Sequence, residues 1–161
     1  MVQPSDQPPS TPRSSWDSES LAKAVIGGAI RVHRALGPGL LESAYEACLV
    51  HELMKLGIPT GRQVAVPVRY DSIALDVGYR LDLLADNQLI VELKCVARLD
   101  RVHLAQVMPY LRLSGLRVGL LINFNEAMLK NGLRRIVNHY DDPGRVEHQP
   151  NNLGVLGVLG G

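Results

Sequence analysis

Two cysteines in 161 residues, Cys48 and Cys95, are too few to staple a small secreted fold, and they lack the paired spacing of a zinc site. Each lies in an apolar stretch and reads as a buried, reduced thiol, not as a nucleophile. Charge of one sign is also missing: 17 Lys and Arg against 16 Asp and Glu leave a formal net charge of +1. That balance excludes the broad basic field of a nonspecific nucleic-acid coat, so any contact with nucleic acid must come from a local patch. No run approaches the roughly 20 apolar residues of a membrane span, and the N-terminus lacks the basic-then-apolar order of a signal peptide. No Gly-rich phosphate loop is present, which argues against nucleoside-triphosphate use. The expectation is a soluble, cytoplasmic protein with no membrane partner.

What is present is a 46% hydrophobic content, enough for one globular domain with a sizeable core. Residues 1–18 are dominated by Pro, Ser, Asp and Gln, a composition that buries too little apolar surface to offset its ordering entropy, and are expected to form a disordered leader. Residues 141–161, rich in Pro, Gly and Asn, are expected to form a disordered tail, leaving 19–140 as the domain.

Periodicity divides that domain into elements. Leu21, Ala24, Val25, Gly28, Ala29 and Val32 recur at helical spacing over residues 19–36, with Ser18 or Ser20 available as cap and Gly37-Pro38-Gly39 as a stop. A second helix is predicted over 40–56, with Leu41, Ala44, Cys48, Leu49 and Leu53 at apolar positions and Gly57 at its end. Val64, Val66 and Val68 alternate with polar or small residues over 62–70, the pattern of a half-buried strand, and Pro67 makes it an edge strand or a bulged one. Strands are expected over 73–85, with a possible split near Gly78, and over 89–96, joined by a turn at Ala85-Asp86-Asn87-Gln88. Asp100 caps a predicted helix over 101–113, where Val102, Ala105, Met108 and Leu111 to Leu113 are apolar and Pro109 should introduce a kink. Residues 116–124, LRVGLLINF, read as a strand buried on both faces, and 130–140 as a terminal helix. The order is α-α-β-β-β-α-β-α, an α/β layer in which an antiparallel hairpin leads into a helical crossover.

The chemistry concentrates on that hairpin. Successive strand side chains point to opposite faces, so Glu92 and Lys94 share one face, while Arg80, Asp82 and Leu84 oppose Leu81 and Leu83. A hairpin brings Asp82 beside Glu92 and Lys94. Two converging carboxylates repel, and burial raises the cost, so such a pair shares a proton or holds a cation. Oxygen-only ligands suit Mg2+ or Mn2+ better than zinc. A lysine on the same face is placed to orient water or to stabilise charge on a phosphate. Glu42, in the first turn of the second helix, is a further acid, with Tyr45 and Glu46 following on its face. Gln106 and Tyr110 lie one turn apart on the third helix, with His103 preceding them. Taken singly, each has a plainer reading: a solvated strand face for the hairpin charges, a solvated side chain for Glu46, a surface or interface position for His33 and His103, and a solvated face for the basic cluster of Arg117, Lys130, Arg134 and Arg135.

Several motifs together resemble one family. Gly39-x-x-Glu42-x-x-Tyr45 within GPGLLESAYEACL looks like the signature of the GxxExxY proteins, a branch of the PD-(D/E)xK nuclease superfamily. The likeness continues through VHRALGPG, which contains His33, through Tyr79-Arg80-Leu81-Asp82 and Val91-Glu92-Leu93-Lys94, and through Gln106 with Tyr110 and GLLINF. This resemblance implies a restriction-endonuclease-like core, a central mixed β-sheet flanked by helices. It implies a metal-dependent nuclease acting on nucleic acid, DNA more than RNA, with Mg2+ or alternatively Mn2+. Glu42, Asp82 and Glu92 would be metal ligands, with the Leu93 carbonyl beside them, and Lys94 would position water. Tyr45, Gln106, Tyr110 and His33 would bind substrate or support the site. The sequence departs from the pattern in having Leu81 where the superfamily name has proline, and Pro109 before Tyr110. The alternative is a binding module that retains the fold without catalysis, and the sequence does not specify an oligomeric state.

Overall fold

The computed structural model describes residues 15–76 and 79–139. The expected leader over 1–18 lies outside the described residues for 1–14, and the expected tail lies outside them entirely. The first helix, α1, spans Ser18–Leu36 and is capped by Asp17, whose carboxylate accepts the N–H groups of Glu19 and Ser20. The expected caps, Ser18 and Ser20, fall inside the helix instead, because Asp17 precedes them with an oxygen that reaches two of the unpaired first-turn amides. Gly37, at φ 67°, and Gly39, at φ 102°, end the helix in conformations that a side chain would strain. The second helix, α2, is Glu42–Lys55.

The strands are β1 (Thr60–Ala65), β2 (Val68–Tyr70), β3 (Ile73–Leu75), β4 (Arg80–Ala85), β5 (Leu89–Lys94), β6 (Val118–Asn123) and β7 (Leu133–Val137), with α3 (Arg101–Ser114) crossing from β5 to β6. Five strands form one mixed sheet in the order β1-β4-β5-β6-β7, while β2 and β3 pair only with each other. Pro67 cuts the single strand expected over 62–70 into β1 and β2, and β1 is an edge strand. β5 and β6 run parallel; the other neighbours are antiparallel. The β4–β5 loop has three residues, Asp86 to Gln88; Asp86 and Asn87, both at φ near +50°, form the centre of a primed-type turn closed by the Gln88 N–H on the Ala85 carbonyl.

Helices cover both faces. On one, Leu21, Val25 and Val32 of α1 and Tyr45, Leu49 and Leu53 of α2 pack on Leu83, Leu89, Val91, Leu93, Leu120 and Ile122. On the other, Val107 and Leu111 of α3 pack on Leu81, Ile90, Leu121 and Ile136. The crossover helix sits close because β6 carries Gly119, where a Cβ would lie 2.8 Å from a Val107 methyl. This is an α/β fold of the restriction-endonuclease-like kind, a five-stranded mixed sheet flanked by helices.

Several expectations need correction. Residues 130–140 do not form a helix: a short 3-10 turn, Leu129–Gly132, leads into β7. Leu133 and Ile136 are three apart, which puts them on one face of a helix but on opposite faces of a strand. They do enter the two opposite cores, and the open edge of β6 supplies the partner that local sequence cannot show. Leu41 is 78% exposed, and Val102 64%; α2 buries Tyr45, Leu49 and Leu53, and α3 buries Val107 and Leu111. Pro109 lies inside α3, as expected. Trp16 packs against the first cluster. The two cysteines are free but only half-buried.

Candidate active site

The ladder between β4 and β5 is regular from Ala85↔Leu89 to Leu83↔Val91. At the next position two side chains take over from the backbone. The Asp82 N–H donates to Glu92 Oε1 at 3.2 Å, and the Leu93 N–H donates to Asp82 Oδ2 at 2.9 Å. Each acid is thus held by the backbone of the other's strand. Opposite Asp82 on β1, Gln63 adopts φ +49° and drops out of the otherwise continuous pairing of Arg62↔Leu83 and Val64↔Leu81. Alternation breaks with it: Leu83 enters the α1/α2 core while Leu81 enters the α3 core, so these two do not share a face as simple alternation requires.

Burial decides the electrostatics. Glu92 is 5% exposed, and desolvation, reinforced by the neighbouring Asp82 charge, pushes its carboxyl up to about 8. Glu42, half-buried in the first turn of α2, is raised by burial and then by Asp82, while Lys94 pulls the other way. Burial also raises the Tyr110 phenol, and Glu92 and Asp82 add to it. These mutual effects place Glu42, Asp82, Glu92, Lys94 and Tyr110 within one electrostatic neighbourhood. Tyr110 meets Tyr79 edge-on at 6.2 Å between ring centroids. The thiol of Cys95 is raised by burial and by Glu42, which is opposite to the shift an active thiolate needs.

The remaining sequence-derived candidates have the following surroundings. Tyr45 is fully buried, stacks on Phe124 at 4.5 Å, donates its hydroxyl to the Gly37 carbonyl and accepts the Leu40 N–H. It therefore pins the glycine loop that delivers Glu42. His33 is buried and not a surface residue, with Nε2 2.7 Å from the Glu126 carbonyl. His103 closes a capping box by accepting the Asp100 N–H. Gln106 is exposed, one turn before Tyr110. Arg135 pairs with Glu19, and Arg134 bonds the carbonyls of Asn131 and Leu133, so the basic cluster is partly committed to the fold.

Two supports were not apparent from the sequence. Glu46 is not solvated: it is 7% exposed and accepts Arg62 Nε at 3.0 Å and Gln63 Nε2 at 2.9 Å. Asn123 is wholly buried at the end of β6, where its amide accepts the Val96 N–H and donates to the Val96 carbonyl. With the Phe124 N–H donating to the Lys94 carbonyl at 2.9 Å, this fixes the chain just beyond Lys94. The only local hint for Asn123 was a polar residue closing an otherwise apolar strand.

A family model of the PD-(D/E)XK nuclease superfamily matches residues 19–136. The chain belongs to that superfamily. No curated protein and no solved structure matches it. Nucleases of the PD-(D/E)XK superfamily typically use divalent metals, and the donors here are of the right kind: paired carboxylate oxygens, one desolvated, whose repulsion a cation would relieve. Among the described residues, no three His, Cys, Asp or Glu side chains are gathered closely enough to form a complete ligand group as they stand. The preformed element is therefore the Asp82–Glu92 pair, with Glu42 set apart from it.

Proposed function

We propose that this PD-(D/E)XK protein is a metal-dependent nuclease of the GxxExxY branch, hydrolysing phosphodiester bonds of nucleic acid, DNA in preference to RNA. The observation that carries the reading is the convergence of Asp82 and Glu92, Glu92 Oε1 accepting the Asp82 N–H and Asp82 Oδ2 accepting the Leu93 N–H, which holds two carboxyl groups where a shared proton or a cation must relieve their repulsion. The GxxExxY positions each have a physical task that supports the branch: Gly39 makes the turn, Glu42 is a half-buried acid within the electrostatic reach of Asp82, and Tyr45 ties down the loop.

Mg2+, or Mn2+ in its place, would be held by Asp82 and Glu92 and would polarise a phosphate and lower the proton affinity of water. The chain's own groups do the rest. In a strand, the N–H and C=O of one residue leave on the same edge, so the Leu93 carbonyl faces β4 beside Asp82 and suits a further ligand. Glu42 supplies a third acid. Lys94 offers an ammonium to orient the attacking water or to stabilise charge on the phosphate oxygens. The Tyr110 phenol stays protonated and donates a hydrogen bond, and Gln106 extends that helix face toward substrate. Both cysteines are free thiols, in keeping with a cytoplasmic setting. Among the described residues, no helix is long and apolar enough to cross a membrane.

The test is hydrolysis of linear and supercoiled DNA and of RNA by purified protein with Mg2+ or Mn2+. Activity should vanish in Asp82→Ala and Glu92→Ala. Cleavage that survives both substitutions would show that another site, or a contaminant, is responsible. Persistence of the cellular role after replacement of Glu42, Asp82, Glu92 and Lys94 together would favour the binding-module alternative.

A further inference from the structure

Gln63 has an uncommon backbone and an uncommon position. A φ of +49° is rare for a residue that is neither Gly, Asn nor Asp, and such outliers persist where surrounding structure over-determines them, often at functional sites. Its amide nitrogen lies 2.9 Å from Glu46 Oε2 and 3.4 Å from Asp82 Oδ1. An amide has two N–H donors, one for each carboxylate, so a single group bridges both acids. The two oxygens are therefore no farther apart than the sum of these distances, and without the amide they would face each other as like charges. Arg62, also bonded to Glu46, neutralises the far side of that acid, and the Arg80 guanidinium, donating to the Gln63 carbonyl at 3.3 Å, braces the unusual backbone.

The two carboxylate oxygens of Asp82 are then each accounted for, with Oδ1 held by the Gln63 amide and Oδ2 by the Leu93 N–H. Asp82 comes from β4, Leu93 from β5, Gln63 from β1, and Glu46, which anchors Gln63, from α2. The orientation of Asp82 is thus set by groups from three other elements. Groups that hydrogen-bond a ligating carboxylate typically influence metal affinity by ten- to a hundredfold.

We infer that Gln63 is a positioning residue: anchored by Glu46, its amide fixes Asp82 in the orientation from which that carboxylate binds a divalent cation. The inference rests on the nuclease reading of the same site. It also assigns a role to the backbone strain, since the left-handed conformation takes Gln63 out of the β1–β4 ladder at the residue facing Asp82.

The probe is Mn2+ alone, titrated into metal-stripped full-length protein and followed by the loss of its free-ion paramagnetic resonance signal. Thermal unfolding of the metal-free proteins runs in parallel. Two substitutions separate positioning from structure. Gln63→Gly removes the amide and relieves the strained φ, so Tm should hold within about 2 °C, while Mn2+ affinity falls tenfold or more. Gln63→Met keeps the length of the side chain without its donors and should lose affinity to the same degree. Asp82→Ala sets the floor. Unchanged affinity in either variant overturns the inference, as does a fall in Tm for Gln63→Gly as large as that for Asp82→Ala, which would make Gln63 a structural residue. A wild-type protein that takes up no Mn2+ overturns the nuclease reading itself, so the two failures are distinguishable.

Discussion

Replacing Glu92 by Gln should stabilise the metal-free protein, and by an amount that grows with pH. The folded state raises the Glu92 carboxyl from 4.5 to about 8, chiefly by desolvation. At roughly 1.4 kcal/mol for each tenfold change in proton affinity, the limiting effect on stability is about 5 kcal/mol. The sign follows from which state holds the proton. Below about pH 4.5 both folded and unfolded chains are protonated at Glu92, and its stabilising contribution is complete. Between 4.5 and 8 the unfolded chain has released the proton while the folded one retains it, so stability declines as pH rises, and above 8 the loss is full. Gln has the same shape, keeps an oxygen to accept the Asp82 N–H, and never ionises. The difference in Tm between Glu92→Gln and wild type should therefore be small at pH 5 and largest at pH 8.5. Even a fifth of the limit, about 1 kcal/mol, corresponds to roughly 3 to 6 °C for a domain of this size. Thermal unfolding of both proteins in EDTA at the two pH values measures it, because the other titrating groups cancel in the comparison. Added Mn2+ should then stabilise wild type at pH 8.5 far more than the variant. A gap that stays constant with pH, or narrows, refutes the assignment of Glu92 as a desolvated carboxyl.

Tyr45→Phe keeps the stack on Phe124 but strands the Gly37 carbonyl and the Leu40 N–H; it should cost about 1 to 3 kcal/mol in urea unfolding and reduce cleavage further than the lost stability explains, through the loop that carries Glu42. Asn123→Ala leaves both polar groups of Val96 without the amide that now serves them, and a loss of about 2 to 4 kcal/mol with an unchanged m-value is expected; a loss below about 0.5 kcal/mol would mean that Asn123 does not fix the chain beyond Lys94. Gly119→Ala puts a methyl against Val107 and should destabilise by about 1 to 3 kcal/mol, and Val107→Ala in the same chain should recover part of that loss; no recovery would show that the close approach of α3 is not what excludes the methyl.

Much of the site was legible because it is local. Asp82, Glu92 and Lys94 lie on two strands joined by a three-residue loop, so a short hairpin is enough to make Asp82 and Glu92 neighbours, although alternation along β4 breaks between Leu81 and Leu83. Glu42 followed from its place behind a glycine turn at a helix start. What escaped is non-local. Glu46 looked solvated, since nothing within α2 shows that Arg62 and Gln63 of β1 will cover it. Residues 133–137 looked helical, since the pairing that makes them a strand is with β6 and not with their own neighbours. Leu41 looked like a core residue and is exposed, because α2 turns Tyr45, Leu49 and Leu53 inward instead. For the same reason Asn123, which serves a segment 27 residues away, carried no signal of its own.

The sequence by itself determined the α/β class, the β4–β5 hairpin, the crossover into β6 and the acids with their lysine, because these depend on periodicity, turn chemistry and short-range spacing. Only the tertiary structure decided how those acids are held and how far they are desolvated. Those properties depend on which groups from β1, α2 and β6 arrive from distant parts of the chain: the amide of Gln63 between two carboxylates, the burial that raises Glu92, and the clamp of Asn123 beyond Lys94. Proton affinity and ligand orientation are set by the surroundings of a group, and its neighbours in sequence are only a few of those surroundings.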